Sequence, residues 1–156
     1  MSETVDNIQE TVSATTEALS ETLTIGPEAY LSEEYARAER DKLWAKVWQQ
    51  VGRVEELPEV GDYLTYDILD DSLIVVRTAP DTIRAYYNVC SHRGRPLVDT
   101  PPGAHDARGR RRLFVCGFHG WRYNLEGQCV QVTLREDWPC GLTDENTGLT
   151  EVKADI

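Results

Sequence analysis

The sequence contains no apolar stretch long enough to cross a membrane. Its longest run of aliphatic residues covers only residues 73–76, whereas a membrane-spanning helix needs about 20 apolar residues. The first residues also lack the basic and apolar segments of an export signal, and they lack the arginines of a transit peptide. We therefore predict a cytoplasmic protein with no membrane partner.

Positive charge is scarce. Sixteen Lys and Arg residues stand against 27 Asp and Glu residues, which gives a formal net charge of −11. Nucleic acids and anionic membranes bind cationic surfaces, so we predict no nucleic-acid partner. Residues 1–34 contain eight acidic residues and no basic residue. Because apolar side chains are sparse at this end of the chain, we predict an acidic flexible leader over residues 1–29.

The rest of the sequence predicts one small domain built mainly from β-strands. Residues 31–47 are predicted to form a helix, because Ser32 can cap it and apolar residues recur on one face. After Trp48, short β-rich runs are separated by turn residues, a spacing typical of antiparallel strands. The predicted fold is therefore mainly antiparallel β with an N-terminal helical lead-in. The predicted strands cover residues 63–69, 73–78, 83–89, 113–116 and 129–134.

Histidine and cysteine are rare, at three and four residues, yet two of each lie side by side. Cys90 is followed two positions later by His92, and Cys116 is followed three positions later by His119. Each pair comes directly after a predicted strand, so we expect both pairs on loops that leave a rigid sheet. Thiolate and imidazole ligands together suit zinc, iron or copper, whereas magnesium and calcium prefer oxygen. The two segments therefore predict a transition-metal site.

Two kinds of metal site remain open on the residues alone. Two Cys and two His form a common tetrahedral zinc site, so a zinc-stabilised binding module is one hypothesis. A zinc finger, however, usually supplies its cysteines as one pair and its histidines as another. Here each segment supplies one of each. This alternation suits a two-iron cluster in which one iron has thiolate ligands and the other has imidazole ligands, and we favour that interpretation.

The patterns Cys-x-His-x-Gly and Cys-x-x-His-Gly-Trp resemble the Rieske 2Fe-2S motif, in the version found in α subunits of aromatic-ring-hydroxylating oxygenases. The likeness extends over residues 30–156. It includes Tyr-Tyr-Asn-Val at 86–89, before the first cysteine, and Arg-Tyr-Asn-Leu-Glu-Gly at 122–127, after the second histidine. The resemblance implies an antiparallel β-sandwich of the Rieske iron-sulfur type over residues 30–156.

The resemblance also implies a role for each motif residue. Cys90 and Cys116 would bind the buried iron of a 2Fe-2S cluster. His92 and His119 would bind the outer iron and would face solvent or a partner. No residue of this chain is predicted to be catalytic.

Residues beside the ligands are expected to shape the surroundings of the cluster. Gly94 and Gly120 would let the backbone approach the bridging sulfides, because glycine has no Cβ. Trp121 would shield the cluster from water and so affect its potential. Arg93 could pair with an acidic residue of a neighbouring protein.

The sequence departs from the respiratory type of Rieske protein at three positions. That type has two further cysteines that form a disulfide, and here Arg95 and Phe118 stand in their places. It also has a serine that donates a hydrogen bond to the cluster, where this chain has Trp121. Because such a bond stabilises the reduced cluster, its loss predicts a reduction potential toward the low end of the Rieske range.

This chain alone is not expected to hydroxylate a substrate. An oxygenase of this type needs a mononuclear iron bound by two His and one carboxylate. Once His92 and His119 bind the cluster, only His105 remains. The resembling α subunits continue into a catalytic domain, so we interpret the chain as truncated, a fragment or the product of a split gene. Mononuclear Fe(II) is then expected only in the missing catalytic domain.

The resemblance implies that the chain relays electrons. A ferredoxin or a flavin reductase would be the donor, and the oxygenase catalytic domain or a neighbouring α subunit would be the acceptor. A free-standing Rieske-type ferredoxin is the alternative. The predicted helix at 31–47 argues against it, because such ferredoxins generally begin near the sheet.

The remaining candidate residues have simpler interpretations. His105 is predicted to be a solvated loop residue, and Cys129 and Cys140 are predicted to be small buried thiols. Between the two ligand segments lies an arginine cluster, for which two interpretations stay open. It could attract an acidic electron donor, or it could be a solvated insertion. The cluster consists of Arg108, Arg110, Arg111 and Arg112.

Overall fold

The computed structural model describes residues 25–138 and 141–156. Most of the predicted leader, residues 1–24, lies outside the described residues, as does Cys140. The chain divides into two compact units, Met1–Trp48 and Gln49–Ile156. None of the helices in the described ranges is long and apolar enough to span a membrane.

The described part of the first unit is helical. It contains α1 (Glu28–Leu31), α2 (Glu33–Glu39) and a π-helical turn (Arg40–Trp44). Ser32 separates the two helices in an extended conformation, and its side chain accepts the backbone N–H of Tyr35 at 3.3 Å. A serine in this position caps the helix that follows it.

The helix predicted over residues 31–47 is therefore placed correctly at its start but is too long at its end. The α-helix ends at Glu39, a π-helical turn continues from Arg40 to Trp44, and helical structure ends there. The apolar periodicity continues to Val47 and so extended the predicted helix. Such periodicity indicates which face of a helix is apolar, but it does not indicate where the helical hydrogen bonds end.

The second unit is built mainly from two antiparallel sheets. The strands of the larger sheet are β1 (Asp62–Ile68), β2 (Asp71–Ala79), β3 (Thr82–Tyr87), β4 (Arg108–Arg110) and β8 (Glu151–Val152). Their order in the sheet is β4-β1-β2-β3-β8. Strands β1 to β3 form a meander, in which Thr65 pairs with Ile74, and they correspond to the first three predicted strands.

The smaller sheet has the order β5-β6-β7, in which β5 is Phe114–Val115, β6 is Arg122–Tyr123 and β7 is Cys129–Gln131. The two strands predicted in this region are present but shorter than predicted. Strands β4, β6 and β8, each two or three residues long, were not predicted. Short helical turns lie at Val54–Glu56, Arg135–Asp137 and Asp144–Thr147.

The main core lies on one face of the larger sheet. Alternate residues Ile74 and Val76 of β2 point into it, whereas Val75 packs into a second cluster on the opposite face. Phe114 of the smaller sheet meets Tyr63 edge to face, with ring centroids 5.6 Å apart. Cys90 and Cys116 belong to this same buried cluster. The core therefore ends at the predicted ligand loops and supports them.

Two members of the arginine cluster lie in a strand of the larger sheet. Arg108 forms ion pairs with Glu56 and Asp106, both at 2.7 Å, and Arg110 forms one with Asp62 at 2.7 Å. The guanidinium group of Arg111 lies over the Tyr63 ring, 5.3 Å from its centroid. The strand β4 that carries Arg108 and Arg110 pairs with β1. Carboxylates of the same chain thus neutralise the charge of Arg108 and Arg110.

Candidate iron-sulfur site

The first predicted ligand loop, residues 90–95, follows β3 and is closed by two backbone hydrogen bonds. The Cys90 N–H donates to the carbonyl of Arg95 at 2.8 Å, and the Gly94 N–H donates to the carbonyl of Cys90 at 2.9 Å. Gly94 has φ +73°, a left-handed conformation that glycine adopts without strain. The backbone conformation by itself therefore favours glycine at this position.

The second predicted ligand loop, residues 116–121, follows β5 and repeats the same backbone hydrogen-bond pattern. The Cys116 N–H donates to the carbonyl of Trp121 at 2.8 Å, and the Gly120 N–H donates to the carbonyl of Cys116 at 3.0 Å. Gly120 has φ +72°. The two loops are equivalent in backbone geometry and differ in whether the histidine stands two or three positions after the cysteine.

Asn88 holds the first loop from inside the core. Its side chain is 2% exposed and accepts the N–H groups of Leu97 and Val98 at 2.9 and 3.0 Å. It also donates to the carbonyl of Val98 at 2.7 Å and to the hydroxyl of Ser72 at 3.1 Å. These bonds use both donors and both acceptor positions of the amide. Asn88 therefore fixes the two ends of the first loop relative to each other.

The two thiols form the buried side of the site. Cys90 is 2% exposed and Cys116 is 3% exposed, and their side chains are close enough to interact. Burial raises the pKa of the Cys90 thiol, and the neighbouring Cys116 raises it further. The hydroxyl oxygen of Tyr123 lies 3.1 Å from Cys90 Sγ and accepts the N–H of Ser91 at 3.2 Å. A phenol therefore faces the sulfur from within the core.

The two imidazoles form the more open side. The ring centroids of His92 and His119 are 4.6 Å apart, and both side chains are half-buried. His92 stacks on Trp121 at 5.0 Å with an interplanar angle of 9°, whereas His119 lies against Phe118 at 3.9 Å. Burial lowers the pKa of His92, and the nearby charges of His119 and Arg93 lower it further.

The donor atoms are sorted by type into two pairs. No three His, Cys, Asp or Glu side chains of the described ranges are grouped as ligands of a single ion. Instead, the thiols of Cys90 and Cys116 interact inside the protein and the two imidazoles meet outside. His92 Nδ1 is buried and has no hydrogen-bond partner among the described residues. A buried nitrogen without a partner is costly unless a further group binds it. The residues therefore fit a cluster with sulfur ligands at one end and nitrogen ligands at the other.

Comparison with known families decides the kind of cluster. The sequence profile of the Rieske [2Fe-2S] domain matches residues 47–140, which is more than half of the chain. The chain belongs to the Rieske [2Fe-2S] domain family. The resemblance noted in the sequence and the type of cofactor it implied are thus confirmed.

The Rieske domain is related to oxygenase α subunits. It is 29% identical to the methanesulfonate monooxygenase hydroxylase subunit alpha of Methylosulfonomonas methylovora, over 81% of this chain and 32% of that protein. It is 31% identical to the 2-aminobenzenesulfonate 2,3-dioxygenase subunit alpha of Alcaligenes sp, over 81% of this chain and 31% of that protein. The chain thus spans about a third of the length of these relatives.

Solved structures show the same fold. A quaternary ammonium Rieske monooxygenase superposes with a TM-score of 0.74 at 25% identity, over 85% of this chain and 35% of the other. Naphthalene 1,2-dioxygenase bound to phenanthrene superposes with a TM-score of 0.67 at 33% identity, over 77% of this chain and 26% of the other. The predicted fold class, mainly antiparallel β of the Rieske type, is confirmed.

The structure also locates the residues that were given no role in the site. His105 is exposed in the long connection, as predicted. Cys129 is a free, half-buried thiol that donates to the carbonyl of Gln131 at 3.6 Å. Sequence reasoning missed the support by Asn88 and the contact of Trp138 with His92. Trp138 lies 17 positions beyond Trp121, outside both motifs, so no local pattern pointed to it.

Proposed function

We propose that Cys90, Cys116, His92 and His119 bind a [2Fe-2S] cluster through which the protein transfers electrons. The cysteines are the ligands of the buried iron, and the histidines are the ligands of the outer iron. The observation that carries this assignment is the pairing of two geometrically equivalent loops, with thiols together inside and imidazoles 4.6 Å apart outside. A bound cluster of this type accepts and releases one electron at a time.

The properties of the four residues and of their neighbours suit the binding of a [2Fe-2S] cluster. Burial and the proximity of Cys116 raise the pKa of Cys90, so this thiol is protonated at neutral pH when no metal is bound. Because metal binds the thiolate, loading the cluster releases protons from the buried side. The unpartnered Nδ1 of His92 is the nitrogen available to the outer iron. Tyr123 supplies a hydroxyl next to the sulfur of Cys90.

We further propose that the domain serves an oxygenase of the α-subunit type. A ferredoxin or flavin reductase would be the electron donor, and the mononuclear iron of a catalytic domain or of a neighbouring α subunit would be the acceptor. The related α subunits support this role, as does inter-subunit electron transfer in the structurally similar quaternary ammonium Rieske monooxygenase. His92 and His119 are both half-buried, so neither imidazole is fully enclosed by the described residues. The cytoplasmic location stays a prediction.

Metal analysis and electron paramagnetic resonance test the assignment. We expect the purified protein to contain iron and acid-labile sulfide in equal amounts, with a reduced-state spectrum typical of mixed nitrogen and sulfur ligation. Cys90→Ser should lose the cluster. Cys129→Ser is the matched control, because it changes a half-buried thiol outside the two ligand loops and should retain the cluster. Zinc without sulfide in the folded wild-type protein would refute the proposal.

A further inference from the structure

A segment outside both ligand motifs contacts both ligand loops. We call residues 133–138, which follow β7, the clasp. At its far end, the Trp138 ring lies 5.1 Å from the His92 ring at an interplanar angle of 75°, and 5.4 Å from the Trp121 ring at 67°. Trp121 stacks on His92. Each of these three rings therefore touches the other two.

The near end of the clasp is attached to the second loop. The hydroxyl of Thr133 donates to the carbonyl of His119 at 2.7 Å. The same hydroxyl oxygen would lie 3.5 Å from a Cβ on Gly120. Thr133 thus packs directly against the loop that carries the second histidine.

The backbone between these two contacts turns sharply. Leu134 adopts a left-handed conformation with φ 52°, which is uncommon for a residue other than glycine. The short 3₁₀ turn Arg135–Asp137 follows, and the guanidinium group of Arg135 donates to the carbonyl of Leu142 at 3.0 Å. Because of this turn, Trp138 contacts His92 of the first loop and Thr133 contacts His119 of the second loop.

The contacts of the two histidines differ in kind. His92 is bordered by two indoles, and its Nδ1 is buried without a partner among the described residues. His119 is bordered by Phe118, which is 60% exposed. An imidazole can rotate about its χ2 bond unless its neighbours prevent it. The Trp138 ring lies edge-on to the His92 ring, which also stacks on Trp121. Trp138 therefore restricts the rotation of His92.

We propose that the clasp positions His92 and keeps water away from it, with Trp138 as the positioning residue. This inference rests on the proposed ligation of the cluster. Reduction adds one negative charge to the site, and water stabilises added charge better than an indole does. The clasp therefore keeps the reduction potential low and slows loss of the cluster.

Trp138→Ala tests the inference through the midpoint potential and the stability of the cluster. At a fixed ambient potential near the midpoint, we expect the ratio of reduced to oxidised protein to rise about three- to tenfold, which corresponds to roughly 30 to 60 mV. Bleaching of the visible absorbance by an iron chelator should become severalfold faster. Trp138→Phe should restore most of both properties. Trp48→Ala, which removes an exposed tryptophan of the first unit, should change neither.

A second variant covers the case in which Trp138→Ala does not fold. Thr133→Val removes the hydrogen bond to His119 but keeps Trp138, and it should shift both readouts in the same direction by a smaller amount. Trp138→Ala and Thr133→Val proteins with wild-type iron content, potential and bleaching rate would overturn the clasp and leave the cluster assignment intact. Absence of iron from the wild-type protein would overturn both.

Discussion

Replacing Tyr123 with phenylalanine removes one hydroxyl group from the buried side of the site and leaves the packing of the ring in place. The tyrosine oxygen accepts the N–H of Ser91 at 3.2 Å and lies 3.1 Å from Cys90 Sγ. With the proposed cluster bound, Cys90 is a thiolate and has no hydrogen to donate, so the hydroxyl of Tyr123 is the donor in this bond. The bond becomes stronger when the site gains an electron.

The expected size follows from the difference between two hydrogen-bond strengths. A hydrogen bond between neutral groups contributes about 1 kcal/mol net, and one to a charged group contributes about 1.5 to 3 kcal/mol. Only the difference, roughly 0.5 to 2 kcal/mol, affects the redox equilibrium. For one electron, about 59 mV corresponds to a tenfold change in the equilibrium constant, so Tyr123→Phe should lower the potential by roughly 20 to 85 mV.

A redox titration followed by visible absorbance and by electron paramagnetic resonance measures this shift. Tyr86→Phe is the matched control, because Tyr86 is equally buried but donates its hydroxyl hydrogen to the carbonyl of Leu125 at 3.2 Å. That variant should keep the wild-type potential. An unchanged or raised potential in Tyr123→Phe, with full iron content, would refute the reasoning. Equal shifts in both variants would show that the effect comes from general loosening of the core.

Two further predictions concern the stability of the fold. Asn88→Ala leaves two buried N–H groups without partners and should lower the free energy of unfolding by about 2 to 5 kcal/mol, measured by urea titration. Asn124→Ala is the control, because Asn124 lies at a less buried turn, and it should lower the free energy of unfolding by less. The hydrogen bond from Arg110 lowers the pKa of Asp62, so the stability from this pair is present at neutral pH and is lost as the pH falls through that lowered value. Arg110→Gln should therefore move the midpoint of acid unfolding to higher pH, and an unchanged midpoint would show that the pair contributes nothing.

The chemistry of the site could be predicted from the sequence because it depends on residue types at short separations. Cys90 and His92 lie on one loop and Cys116 and His119 on the other, so two short motifs contain all four proposed ligands. The three-stranded meander could also be predicted, because β1 to β3 are long enough to show β-rich runs separated by turn residues. Ser32 marked the start of the longer helix because capping is a local interaction.

Contacts between distant parts of the chain decided the rest. Arg108 and Arg110 of the arginine cluster lie in β4 and pair with Glu56 and Asp62, which are about 50 positions away in the sequence. Tyr123 meets Cys90, Asn88 meets Ser72, and Trp138 meets His92, again across many positions of the sequence. No local pattern records such pairs, since each becomes close only after the sheets have packed. The sequence by itself determined which atoms can bind iron, and the tertiary structure decided which hydroxyls, indoles and amides surround them.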